Sequence, residues 1–131
     1  MADIIPTSHR DLLDSRALAH LATINADGSP QVTPVWFGFE LGCIVVNSAK
    51  GRLKDNNMRR DSRVSLSMTD PENPYRYLEV RGRVIQITEE GADAKIDELS
   101  TKYLGKNYPH RVDGEVRVTY MIEPVGISKM G

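Results

Sequence analysis

A single cysteine, Cys43, stands in the chain, so no intramolecular disulfide can form and folding must rest on a core of the protein's own. Three scattered histidines, His9, His20 and His110, have no Cys or His neighbour at ligand spacing, which leaves no metal-site signature. No stretch approaches the ~18 consecutive apolar residues that a membrane span needs. The opening run Met1-Ala2-Asp3-Ile4-Ile5-Pro6 lacks the basic region and apolar stretch of an export signal. Together these absences predict a soluble cytoplasmic protein. An excess of charge is missing too, since seventeen basic residues face eighteen acidic ones. Bulk electrostatics therefore neither attracts nor repels a polyanion, and only local charge carries information. Also missing are G-x-S-x-G, P-loop, G-x-G-x-x-G and H-E-x-x-H motifs, which disfavours hydrolase, nucleotidyl and metal chemistry. No catalytic residue declares itself.

What is present fits one compact domain over residues 1–131, with 40% hydrophobic residues and enough length to bury roughly two-thirds of the unfolded chain's surface. Thr7-Ser8 ahead of Asp11-Leu12-Leu13 predicts a capped N-terminal helix ending near Asp14 or Ser15. Ala17 to Ile24 is β-rich, and Asp27-Gly28 supplies a hairpin turn into a second strand from Gln31 to about Phe39. On that strand Val32, Pro34 and Trp36 share one face. Pro34 lacks a ladder donor, which predicts an edge or a bulge there. Cys43 to Asn47 forms a third strand, and a two-turn helix is expected between Ser48 and Asp61. Strands follow at Arg63 to Met68 and at Tyr75 to Thr88, where Gly82 marks a bulge or bend. Ala92, Ile96, Leu99 and Tyr103 recur at helical spacing before Gly105, an amphipathic helix with a glycine C-cap. Val116 to Ile122 reads as the last strand. Sequential strands with short helices between them predict a mainly β, closed antiparallel barrel built as a meander.

Between Lys50 and Arg63 lie six basic residues against two acids, Asp55 and Asp61. At a strand-to-helix junction such a cluster suits an anion, because hydroxyl, backbone N–H groups and long cations converge there. An ordinary solvated helix face would carry the same charges. Trp36 reads either as core or as a flat wall for an aromatic ring. Tyr75 and Tyr77 point the same way along their strand, as a cap on such a site or as cross-strand packing. His20 reads as a satisfied strand histidine, and Cys43 as a small buried hydrophobe.

The order Leu21-Ala22-Thr23-Ile24, Asp27-Gly28-Ser29-Pro30-Gln31-Val32-Thr33-Pro34-Val35-Trp36-Phe37, Lys50 through Asp61, and Tyr75-Arg76-Tyr77-Leu78-Glu79-Val80-Arg81-Gly82 resembles the flavin and deazaflavin oxidoreductases with a pyridoxamine 5'-phosphate oxidase-like split barrel. With Lys102-Tyr103-Leu104-Gly105, it is most similar to their short actinobacterial branch that uses coenzyme F420. The resemblance covers nearly the whole chain and rests on order and spacing rather than on any one motif.

The resemblance implies a six-stranded antiparallel split barrel that forms a homodimer with two cofactor grooves at the interface. It implies that Arg52 and Lys54 grip the cofactor phosphate, that Val32, Pro34 and Trp36 line the ring system, and that Asn47, Ser48 and Lys50 continue the groove. Tyr75 and Tyr77 would come from the neighbouring protomer. The expected cofactor is F420, with FMN as the alternative. The expected reaction is hydride transfer to an α,β-unsaturated ester, lactone or ketone. A longer C-terminal segment of the true oxidases is not matched, so oxidase activity is not expected. The rival readings are an FMN-dependent oxidase or reductase and a non-catalytic protein that binds a flavin or tetrapyrrole. The partners expected are a small-molecule substrate and a second copy, with no nucleic acid and no membrane.

Overall fold

A computed structural model describes residues 3–131. A 3-10 turn over Thr7–His9 runs into a short helix α1, Asp11–Asp14, and no side-chain cap bond forms at either start. Ser8 is not a cap because its hydroxyl lies 2.8 Å from His9 Nδ1 instead. The strands are β1 (Ala19–Ile24), β2 (Pro30–Val35), β3 (Gly38–Glu40), β4 (Cys43–Ala49), β5 (Arg63–Asp70), β6 (Asn73–Thr88) and β7 (Arg117–Met130). Two further helices are α2 (Leu53–Arg60) and α3 (Ala92–Leu104).

All pairings are antiparallel, in the order β2-β1-β5-β6-β7-β4-β3. That order corrects the sequential meander. β1 pairs with β5 rather than only with β2, and β4 pairs with β7. The sheet is a split barrel of seven strands, not six, because the expected second strand breaks at Trp36-Phe37. Its halves, β2 and β3, lie at opposite edges of the sheet, so these two residues carry the chain across the split. Pro34 is tolerated because β2 is an edge strand.

Curvature comes from β6 and β7, whose register shifts at Arg81/Gly82 and again at Val84/Gln86. A Cβ at Gly82 would lie 2.5 Å from Ile122 Cγ2, so only glycine lets the two strands approach at the bend. β7 runs eight residues past its expected end at Ile122. Pro124 and Gly126 pair with the bulged stretch of β6 around Arg81 and Gly82, which carries the strand on.

Inside the curl sit Leu21, Phe37, Ile44, Leu66, Met68, Leu78, Tyr120 and Ile122, all fully buried. Each such side chain contributes about 1.5–3 kcal/mol of transfer free energy. α2 is clamped on the β1–β2 hairpin by Asn57, whose Nδ2 donates to Thr23 Oγ1 at 3.0 Å and to Asn25 Oδ1 at 2.9 Å. Arg60 completes the clamp by donating to the Ile24 carbonyl at 2.7 Å. Cys43 is buried, and burial pushes its thiol pKa up.

Candidate functional site

The crossover at Trp36-Phe37 is held by the last turn of α3. Phe37 enters the core, while Trp36 stays half-buried and stacks on Tyr103, with ring centroids 5.4 Å apart and planes 9° from parallel. The Tyr103 hydroxyl donates to the Ala17 carbonyl at 2.6 Å and accepts the Phe37 N–H at 3.3 Å. Lys102 Nζ donates to the carbonyls of Phe37 (2.8 Å) and Leu13 (3.1 Å) and lies 4.3 Å from the centre of the Phe37 ring. Burial drives the Tyr103 phenol up to about 12 and lowers the Lys102 ammonium below its ordinary value. The Lys102-Tyr103 pair thus fixes the indole of Trp36 and the gap between the two sheet edges.

Beyond that wall lies the end of β4, a strand buried along its whole length. After Ala49 the chain turns through Gly51 (φ 92°), a conformation that favours glycine. The Gly51 N–H donates to Asp55 Oδ2 at 2.9 Å. Asp55 also accepts the Tyr120 hydroxyl (2.5 Å) and Arg59 Nε (3.0 Å). Burial opposes the charge on Asp55, but these donors outweigh it and hold the carboxyl below its usual range. Tyr120 is pushed up in turn, by burial first and then by the carboxylate. Asp55 therefore folds the loop onto the start of α2, whose N-cap, Arg52, provides no side-chain cap bond. The N–H groups of that first turn have no intrahelical acceptor.

Arg52 and Lys54 of this turn line a cavity of about 300 Å³ together with Asn47, Ser48, Arg117, Pro34, Trp36, Tyr108 and His110. The Lys54 ammonium is half-buried and, among the described residues, has no ion-pair partner. Burial, then the charges of Arg52 and Arg117, lower its pKa. Ser48 is 3% exposed and its hydroxyl has no hydrogen-bond partner. Arg117, also buried, donates to Asn47 Oδ1 (2.9 Å) and Glu115 Oε1 (2.8 Å). Asn47 Nδ2 is taken by the Ala92 carbonyl and Thr119, so Asn47 lines the cavity with its polar atoms already engaged and orients Arg117. An unpaired cation, an orphan hydroxyl and uncapped N–H groups beside an aromatic wall fit a ligand with both a phosphate and a flat ring.

Six of the ten residues expected at the site line this cavity: Pro34, Trp36, Asn47, Ser48, Arg52 and Lys54. Four do not. Val32 lies on the outer face of β2, separated from Trp36 by the strand break, and is 58% exposed. Lys50 is drawn away to Glu89, 3.0 Å from its ammonium. Tyr75 is exposed near the start of β6, and Tyr77 pairs with Thr69 and Met130 on the sheet. Arg117, Tyr108 and His110 escaped the sequence reading. An arginine at the head of an apolar strand was the one signal for Arg117, since a buried cation needs partners. Tyr108 and His110 sit in an irregular stretch between α3 and β7, where no periodicity points inward.

Among the described residues no group of three or more His, Cys, Asp or Glu could hold a metal ion, and no helix is long and apolar enough to cross a membrane.

Residues 5–125 match the pyridoxamine 5'-phosphate oxidase family, and the chain belongs to it. Among solved structures it is similar to an F420 reductase at 34% identity and a TM-score of 0.86, over 95% of this chain and 98% of that one. A conserved hypothetical protein of Mycobacterium tuberculosis is 24% identical (TM-score 0.77, 99% and 88% covered). HupZ of Group A Streptococcus is 19% identical (TM-score 0.70, 96% and 94% covered). The last two share the fold. No curated protein matches the chain. Family and first neighbour together mark a flavin- or deazaflavin-type oxidoreductase.

Proposed function

We propose that the protein is a reductase that binds reduced coenzyme F420 and passes its hydride to an α,β-unsaturated ester, lactone or ketone. The observation that carries this reading is the half-buried Lys54, without an ion-pair partner among the described residues, in one cavity with Arg52, the orphan Ser48 hydroxyl and Trp36. Arg52 and Lys54 would hold the cofactor phosphate, with Arg117 adding to the field, and Trp36 and Pro34 would seat the ring. Bound cofactor supplies the hydride from C5, so the protein's part is to orient the ring, keep water from it and stabilise charge on the substrate. The similarity to an F420 reductase favours F420 over FMN.

A cytoplasmic C₂ dimer belongs to the same reading. Val32, Tyr75 and Tyr77 lie outside this protomer's cavity and would meet a second copy, the tyrosines reaching its groove. Titration of the pure protein with F420 and with FMN, followed by Trp36 emission, tests the cofactor. Tighter binding of F420 is expected, together with turnover of 2-cyclohexen-1-one by reduced F420. Tight FMN binding with no response to F420 would move the assignment to the flavin rival, and binding without turnover would make the protein a carrier. Sedimentation should give about twice 14.6 kDa.

A further inference from the structure

We propose that His110 is the proton donor of the site, a role that rests on the reductase reading above. As hydride forms the new C–H bond at the β-carbon, the alkene π pair moves toward the carbonyl and its oxygen gains negative charge. A donor placed there lowers the barrier. An imidazolium N–H bond breaks to leave neutral imidazole, an enol O–H bond forms, and solvent returns a proton to the ring. The enol then tautomerises to the saturated carbonyl. The two electrons come from the reduced deazaflavin.

The cavity offers few groups for this task. No aspartate or glutamate lines it, and a guanidinium is too weak an acid for the task. Lys54 and Arg52 are assigned to the anion in the reading above, and Ser48 is a buried hydroxyl. Tyr108 and His110 remain. Of these two side-chain types, imidazole is the one that most often serves as a general acid.

The other two histidines are elsewhere. His9 is buried, with Nδ1 beside Ser8 Oγ and Nε2 2.9 Å from the Met130 carbonyl. His20 lies on β1 and is not part of the cavity lining. Of the three, only His110 lines the cavity, and neither of its ring nitrogens has a partner among the described residues.

The chain around His110 is held, although the side chain itself is exposed. The Asp97 carboxylate accepts the Tyr108 N–H through Oδ1 at 2.9 Å and Arg111 Nη2 through Oδ2 at 2.7 Å. One side chain of α3 thus pins the chain on both sides of His110. The His110 ring meets Tyr108 edge-on at 5.7 Å, and Tyr108 meets Trp36 edge-on at 6.0 Å. One ring contact, through Tyr108, thus links the imidazole to the wall proposed to seat the cofactor.

The test compares wild type, His110→Asn, His110→Ala and Tyr108→Phe with reduced F420 and 2-cyclohexen-1-one in H2O and D2O, alongside F420 titration by Trp36 emission. If His110 donates the proton, both His110 variants bind F420 as wild type does, and kcat falls about a hundredfold. The wild-type solvent isotope effect shrinks in His110→Asn, and added imidazole restores rate to His110→Ala. Wild-type kcat and isotope effect in His110→Asn overturn the proposal, as does loss of the isotope effect in Tyr108→Phe alone. Wild-type protein that binds F420 but reduces no enone overturns it while leaving cofactor binding intact. Absence of F420 binding removes the reductase reading itself, and the proposal with it.

Discussion

Lys54 is where the site makes its sharpest quantitative demand. Its ammonium is half-buried, lies near Arg52 and Arg117, and has no anion beside it among the described residues. In the protein alone, burial and like charge therefore oppose the protonated form, and the folded-state pKa falls below the 10.5 of the free side chain. The sign of the linkage follows. At neutral pH the charge on Lys54 costs folding free energy, and that cost is relieved as pH rises through the folded-state value toward 10.5. Replacing Lys54 by Met keeps the apolar stem and removes the charge. The variant should melt no lower than wild type at pH 7, and its advantage should shrink as pH climbs through that window. A bound phosphate reverses the balance, because it turns the repelled ammonium into a charge-assisted donor. One such bond is worth roughly 1.5–3 kcal/mol, or about ten- to a hundredfold in affinity. Thermal melts at pH 7 and above, paired with F420 titration of both proteins, read the two halves separately. A Lys54→Met protein that melts several degrees lower and binds F420 as tightly as wild type would refute the assignment of Lys54 to the anion.

Three further outcomes are expected. Tyr103→Phe removes the hydroxyl shared by the Ala17 carbonyl and the Phe37 N–H, which should cost about 1–3 kcal/mol in urea unfolding; an unchanged midpoint would deny Tyr103 its part in holding the crossover. Gly82→Ala drives a methyl toward Ile122 and the Glu123 carbonyl, so the urea midpoint should fall by an amount worth about 1–3 kcal/mol, and wild-type stability would mean that the bend does not depend on glycine. Trp36→Phe keeps an aromatic ring against Tyr103, so the fold should survive while F420 affinity or kcat shifts at least tenfold; wild-type kinetics in the folded variant would return Trp36 to a packing role.

Local signals located most elements, because hairpin glycines, β-branched runs and the Ala92-Ile96-Leu99-Tyr103 spacing act over a few residues. Two misreadings share a cause. Trp36-Phe37 continues an alternating apolar run, and nothing local says that the run must leave one sheet edge and join the other. β7 runs on past Ile122 through Pro124 and Gly126 because the facing bulge in β6 pairs with them. Both outcomes are set by strands far away in sequence, which pattern alone does not weigh.

The site divides along the same line. Arg52, Lys54 and Ser48 were legible because a basic cluster at a strand-to-helix junction is local chemistry, and Trp36 because it is the chain's one tryptophan. Lys50 belonged to the same cluster, yet Glu89, thirty-nine residues away, takes it out of the cavity. Arg117 enters by the opposite route. Its guanidinium faces Asn47 and Glu115 and lies 5.2 Å from the Tyr108 ring centre, so the chain uses one buried arginine to join β4, β7 and the stretch that carries His110. A charge count over a sequence window finds the cations that could meet an anion. Which of them remain free to do so depends on the carboxylates that tertiary structure brings to them: Glu89 takes Lys50 and Glu115 lies 3.5 Å from Arg52, while Lys54, the cavity's lysine, has no ion-pair partner among the described residues.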